Sequence, residues 1–165
     1  EADVAIRMKE PSQADLIRKR LMQIRMQLFA TPEYLAAHGT PQTMDDFSSH
    51  RLICQHAGTA QVAAGANLVA ELMTHDIPST LTVNNYFGVL QGVLNHLGIG
   101  VLPDYLTEDF PNLVRVLPDV QSVDVPVFLA YPEELRHSKR VAAFRDFVTE
   151  EIMAVRRRQA EDASG

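Results

Sequence analysis

Between Leu81 and Pro103 the spacing of apolar positions changes twice, and the changes predict a strand, a helix and a second strand in direct succession. Leu81, Thr82 and Val83 are β-formers, and Asn84 and Asn85 then offer side-chain oxygens that cap a helix beginning at one of them. Phe87, Leu90, Leu94 and Leu97 fall on one helical face, while Gly88 and Gly92 let that helix lie close against a sheet. Gly98 is the expected left-handed stop. Ile99 to Leu102 then reads as a buried strand bounded by Pro103. A β-α-β unit of this kind points free backbone N–H groups of the helix start toward the carboxyl end of the preceding strand, where open α/β sheets bind small anions.

The rest of the chain alternates in the same way. Asp3 to Arg7 reads as a strand, and Leu21 to Phe29 as one continuous strand with a wet face, because Ile24, Met26 and Leu28 alternate with Gln23, Arg25 and Gln27. Thr31 before Pro32 starts a short helix that Gly39 ends. Asp45 and Asp46 suit the first turn of another, after which Arg51 to His56 forms a strand. Residues 57–66 read as a loop, and Leu68 to His75 is short and ambiguous between helix and strand. Asp104 is placed as the cap of a short helix through Asp109, Leu113 to Leu117 as a return strand, and Val127 to Tyr131 as a strand buried on both faces. Ser138 opens a long helix with Val141, Phe144, Val148, Ile152 and Val155 as its apolar stripe. Strands alternating with helices give an α/β fold.

With these elements in place, five segments in order resemble the effector-binding domain of LysR-type bacterial transcriptional regulators. They are EADVAIR (Glu1 to Arg7), LFATPEYLAAHGTP (Leu28 to Pro41), the stretch from Leu81 through HLGIGVLPDYL to Leu106, LVRVLPD (Leu113 to Asp119), and PVFLAYP with SKRVAAFRDFV (Pro126 to Val148). The resemblance implies two Rossmann-like subdomains around a cleft, like type 2 periplasmic binding proteins, and a strand-like segment over Leu68 to His75. One subdomain would hold residues 1–26 and 119–158 and the other residues 27–118, with 159–165 a frayed tail. It further implies that the chain, starting at Glu1 without methionine, is an internal fragment, with a winged helix-turn-helix domain, a linker helix and the opening elements of the first subdomain upstream.

Composition narrows the function classes. A formal net charge of −6 over 165 residues argues against a chain-wide grip on phosphate backbones, so DNA is expected to be met only through the upstream domain. Cys54 is the single cysteine, which excludes an intramolecular disulfide and suits a reducing, cytoplasmic setting. No window is long and apolar enough for a membrane span. No cofactor is implied. Cys54 with His56 lacks the further ligands a zinc site needs, and Gly98-Ile99-Gly100 carries no phosphate fingerprint around it.

Candidate ligand-binding residues follow from strand ends and helix starts. Asn84 and Asn85 can present amide and backbone donors to a carboxylate, or simply cap the helix. Arg7, leaving the first strand, can pair bidentately with an anion or remain a solvated surface group. Thr31 repeats the helix-start argument, with capping as its other role. Gln55 and His56 leave the strand that begins at Arg51, and Gly100 and Val101 would approach a ligand by backbone. The expected partners are a small, anionic organic effector and a second copy of the chain, in a homodimer or tetramer formed through this domain. An extracytoplasmic solute-binding protein of the same fold is the alternative. An enzyme is disfavoured, since no G-x-S-x-G, Walker A, HExxH or clustered triad occurs.

Overall fold

In the computed structural model the described residues are 4–7, 15–55, 66–75, 77, 79–120 and 124–162. The chain opens with strands β1 (Ala5–Arg7), β2 (Leu16–Ile24) and β3 (Met26–Ala30), then helix α1 (Pro32–His38) and a 3-10 turn, Met44–Ser49. Strand β4 (Arg51–Gln55), helix α2 (Ala66–Leu72), strand β5 (Ser79–Val83), helix α3 (Tyr86–Leu94) and strand β6 (Ile99–Pro103) follow. Helix α4 (Leu106–Asp109), strands β7 (Val114–Val116) and β8 (Val125–Pro132), the 3-10 turn Glu133–Leu135 and helix α5 (Lys139–Asp162) complete it. The elements divide into two units, Glu1–Gln23 with Val125–Gly165, and Ile24–Asp124.

The first unit has a three-stranded sheet in the order β1-β8-β2, with β1 antiparallel to β8 through Ile6 opposite Leu129. Its core is Leu129, Tyr131 and Val141, against which Val4, Ile17, Leu21 and Leu135 pack. Along β8 burial largely alternates, so the strand is less covered than its unbroken apolar run suggests. The stripe expected on α5 is only partly covered. Val141 is buried and Val148 and Ile152 half-buried, but Phe144 is 40% exposed and Phe147 and Met153 more so. The side chain of Val155 lies outside the described residues.

The second unit is a five-stranded sheet, β5-β4-β6-β3-β7, in which β4 runs parallel to both β5 and β6 while β3 is antiparallel to β6 and β7. One face carries α3 over Phe29, Ile53 and Leu102, with Val89, Leu90 and Val93 supplying the helix side of the core. Two close approaches make this packing possible. A Cβ on Gly100 would strike Val93 Cγ2 and come within 2.9 Å of Val89 Cγ1, and one on Gly92 would lie 3.0 Å from Ile53 Cδ1. Alternation along the strands sends Leu28, Leu52, Cys54 and Val101 to the other face, all of them buried.

Four local expectations are corrected. The single strand over Leu21 to Phe29 is two strands in different sheets, broken at Arg25, whose carbonyl accepts from the Asp104 N–H and whose guanidinium pairs with Asp124 at 2.7 Å. Residues 68–75 are not strand-like: α2 places Leu68 and Leu72, four apart, in the core. Tyr105, not Asp104, occupies the cap position of α4, and no side chain bonds there. The stop of α3 is a Schellman turn closed by Leu97 N–H to Gly92 O and His96 N–H to Val93 O, so His96, at φ +59°, takes the left-handed position expected of Gly98. Gly98 serves a different need, since a Cβ there would sit 2.5 Å from the Arg51 carbonyl oxygen. The loop expected over residues 57–66 lies outside the described residues apart from Ala66, which begins α2.

Candidate ligand site at the strand ends of the second unit

The parallel register of β4 and β5 sets Gln55 opposite Val83, so both strands stop at one level and α3 starts immediately beyond. Asn85 is its N-cap, in extended backbone, and its Oδ1 accepts from Gly88 N–H at 2.8 Å. Its amide nitrogen donates to Asn84 Oδ1 at 2.9 Å, and Gln55 Nε2 donates to the Asn84 carbonyl at 3.3 Å. Gln55, Asn84 and Asn85 are thereby one hydrogen-bonded rim. Asn84 and Asn85 are exposed and Gln55 is half-buried. The rim holds no formal charge, and its amides stand beside the first turn of a nine-residue helix, whose aligned peptide dipoles attract negative charge.

Two tyrosines complete this end. Tyr86 is the first residue of α3, and Tyr105 follows the end of β6 by two positions. They share a hydrogen bond, and burial, reinforced by Tyr86, pushes the Tyr105 phenol up to about 12, so it stays a neutral donor across physiological pH. Beside it, burial raises the Asp104 carboxyl against the opposing pull of Arg25. These aromatics went unnamed in the sequence reading, although a phenol just past each strand end was the available signal.

The other candidates are placed elsewhere. Thr31 follows β3, which is antiparallel to β6, so it stands at the opposite end of the sheet; it is fully buried and bonded to Tyr34 N–H and to His96 Nδ1, at 2.6 Å from the latter. Gly100 lies in mid-strand beneath α3, where its bare Cα serves helix packing, and Val101 faces the far side of the sheet at 5% exposure. Arg7 belongs to the first unit, exposed at the end of β1. His56 lies outside the described residues. Cys54 is buried, with its thiol pushed up by that burial. Among the described residues no group of three or more His, Cys, Asp or Glu side chains is arranged to hold a metal.

Amide, phenol and helix-start donors thus meet at one end of this sheet. The whole pattern belongs to one family: residues 1–153 match the LysR substrate binding domain, and the chain is a member of it. It is 28% identical over 169 residues to a probable HTH-type transcriptional regulator, LtrA, of Klebsiella pneumoniae, covering 98% of this chain and 54% of that one. It is 27% identical over 156 residues to the HTH-type transcriptional regulator CrgA of Neisseria meningitidis serogroup C, covering 92% and 52%. The chain thus spans about half the length of the curated relatives it matches. The CrgA regulatory domain superposes with a TM-score of 0.73 at 24% identity, over 91% of this chain and 75% of that one. The C-terminal domains of a LysR family protein from Agrobacterium tumefaciens give 0.67 at 16% identity, over 92% and 73%. The fold is therefore that of LysR regulatory domains, mixed α/β with two sheets. No helix among the described residues is long and apolar enough to cross a membrane.

Proposed function

We propose that this chain is the effector-sensing part of a LysR-type transcriptional regulator, and that the rim formed by Gln55, Asn84 and Asn85 receives a small organic anion. The observation that carries the site is the hydrogen-bonded rim beside the start of α3, where uncharged donors meet a helix dipole of the right sign. Tyr105, held neutral, supplies a further donor at the same end. The signal then passes to a DNA-binding segment of the longer protein, as the relatives' names as HTH-type regulators suggest. The same reading makes the protein cytoplasmic, oligomeric through this domain, and without turnover of its own. Regulators among the matched relatives favour it over a solute-binding protein.

The test is a thermal-shift screen of small carboxylic acids against the chain, since a ligand that binds the folded state raises its melting temperature by mass action. A saturable rise that disappears in Asn84→Ala supports the reading. Shifts that are equal in Asn84→Ala, or that come only from uncharged or cationic compounds, overturn it, as does product formation from any acid that binds.

A further inference from the structure

At the other end of the second unit's sheet, α1, the turn leading into β4 and the Schellman turn after α3 enclose a cavity of about 290 Å3 lined by Tyr34, His38, Ser49, His50, Arg51, His96 and Leu97. Three histidines and Arg51, from elements far apart in sequence, thus line one hollow. Each ring is held by a specific bond. His38 Nδ1 must donate to the Tyr34 carbonyl, 3.1 Å away, because that oxygen can only accept. The Tyr34 hydroxyl accepts from Arg51 N–H at 3.2 Å and shares a hydrogen bond with His50 Nδ1 at 3.1 Å. Thr31 Oγ1 accepts from Tyr34 N–H and shares a hydrogen bond with His96 Nδ1 at 2.6 Å.

His96 adds a second, independent observation. It occupies the left-handed C′ position of the Schellman turn at φ +59°, where glycine fits without strain and a side chain costs on the order of 1 kcal/mol. Fold alone favours glycine there. The imidazole that sits there instead is delivered to the cavity wall.

We propose that this cavity is a proton-linked binding site for a small inorganic oxyanion such as phosphate, held by Arg51 and the ring nitrogens of His38, His50 and His96. Its volume is at the small end for ligand pockets, which suits an ion of few atoms. Among the described residues, Asp46 and Glu33 are the carboxylates that bear on these rings. Asp46 is already committed to the N–H groups of Gln42 and Thr43, at 2.8 Å each, while Glu33 lies 3.8 Å from His96 and competes for it. Asp45, the next acid along, pairs outward with His75. An anion beside the rings and a proton on a ring nitrogen each favour the other, so the anion is bound together with protons. Nothing in this site draws on the strand-end rim.

The experiment follows the histidine ring signals of the 165-residue chain by NMR while inorganic phosphate is added at about pH 5.5 and about pH 7.5, bracketing the imidazole range. Saturable shifts of the His38, His50 and His96 rings are expected, with affinity at the lower pH greater by about tenfold for each proton whose pKa rises one unit on binding. His96→Gly relieves the left-handed strain, so it stays folded and yet loses phosphate affinity; Arg51→Gln loses it too. Glu33→Gln tightens binding, and Asn84→Ala leaves it unchanged. Equal affinity at both pH values, undiminished binding in His96→Gly, or shifts that never saturate would overturn the proposal.

Discussion

Gln55 and Asn84, 29 positions apart, are joined by a 3.3 Å hydrogen bond from the side-chain amide of the first to the backbone carbonyl of the second. The bond ties the last residue of β4 to the turn from which α3 starts, and the Asn84–Asn85 side-chain bond extends it to the helix cap. The three residues are therefore coupled through hydrogen bonds. The strength of such a rim depends on how firmly α3 is seated against the sheet beneath it.

That seating is tested at Gly100. Gly100→Ala would drive its new methyl into Val93 Cγ2 and Val89 Cγ1, and overpacking of this kind costs about 1–3 kcal/mol. The expected outcome is a lower denaturation midpoint together with faster hydrogen exchange at the Gly88 amide, as the helix lifts and its cap loosens. Val93→Ala in the same chain removes the atom in the way, so the double variant should be more stable than the sum of the two single losses predicts. Strict additivity would mean that Gly100 does not set the approach of α3.

How far the sequence reveals this arrangement depends on the range of the interactions involved. The β5-α3-β6 unit is legible because its period and N-terminal cap are local: Asn85 caps as its position suggests, as Thr31 caps α1, whereas the stop falls on His96 and not on Gly98. The break at Arg25 is not legible. Met26 and Leu28 continue the alternation of Ile24, and only the long-range pairing of Arg25 with Asp104 and Asp124 shows that the chain changes sheets there. α2 was hidden by its length, since seven residues with two core leucines fit either period. The candidate site divides in the same way. Adjacency found Asn84, Asn85 and Gln55, whereas Thr31 was grouped with them because every helix start looks alike until strand direction is known. The convergence of His38, His50 and His96 is set by tertiary structure alone.

His50 makes stability depend on pH in a stated direction. Burial, followed by the nearby positive ring of His38, lowers its pKa below the ordinary 6.5, and Asp46 opposes this only in part. With the folded value depressed, the unfolded chain binds more protons between the two values, so stability from this residue is fully present above about pH 6.5 and is lost as pH falls through the folded value. Chemical denaturation across that range should show stability rising with pH in phosphate-free buffer. In His50→Gln the slope should flatten, because the group whose protonation is disfavoured by folding is gone. An unchanged slope would place the pH dependence elsewhere.

Asn85 separates capping from recognition. Asn85→Ala removes the acceptor for Gly88 N–H and should cost about 1 kcal/mol. Asn85→Asp keeps an oxygen at the same place and adds a negative charge beside the helix start, which should preserve stability or raise it by about 0.3–1 kcal/mol. Only the first variant is thus expected to lose stability. If the rim receives an anion, both should lose affinity for the acids that raise the melting temperature of the parent chain: the first because the helix start frays, the second because a carboxylate now occupies the field that attracted the ligand. Titrating each variant with those acids by calorimetry decides the matter. Full affinity in the Asn85→Asp variant would show that this asparagine caps the helix and does nothing more.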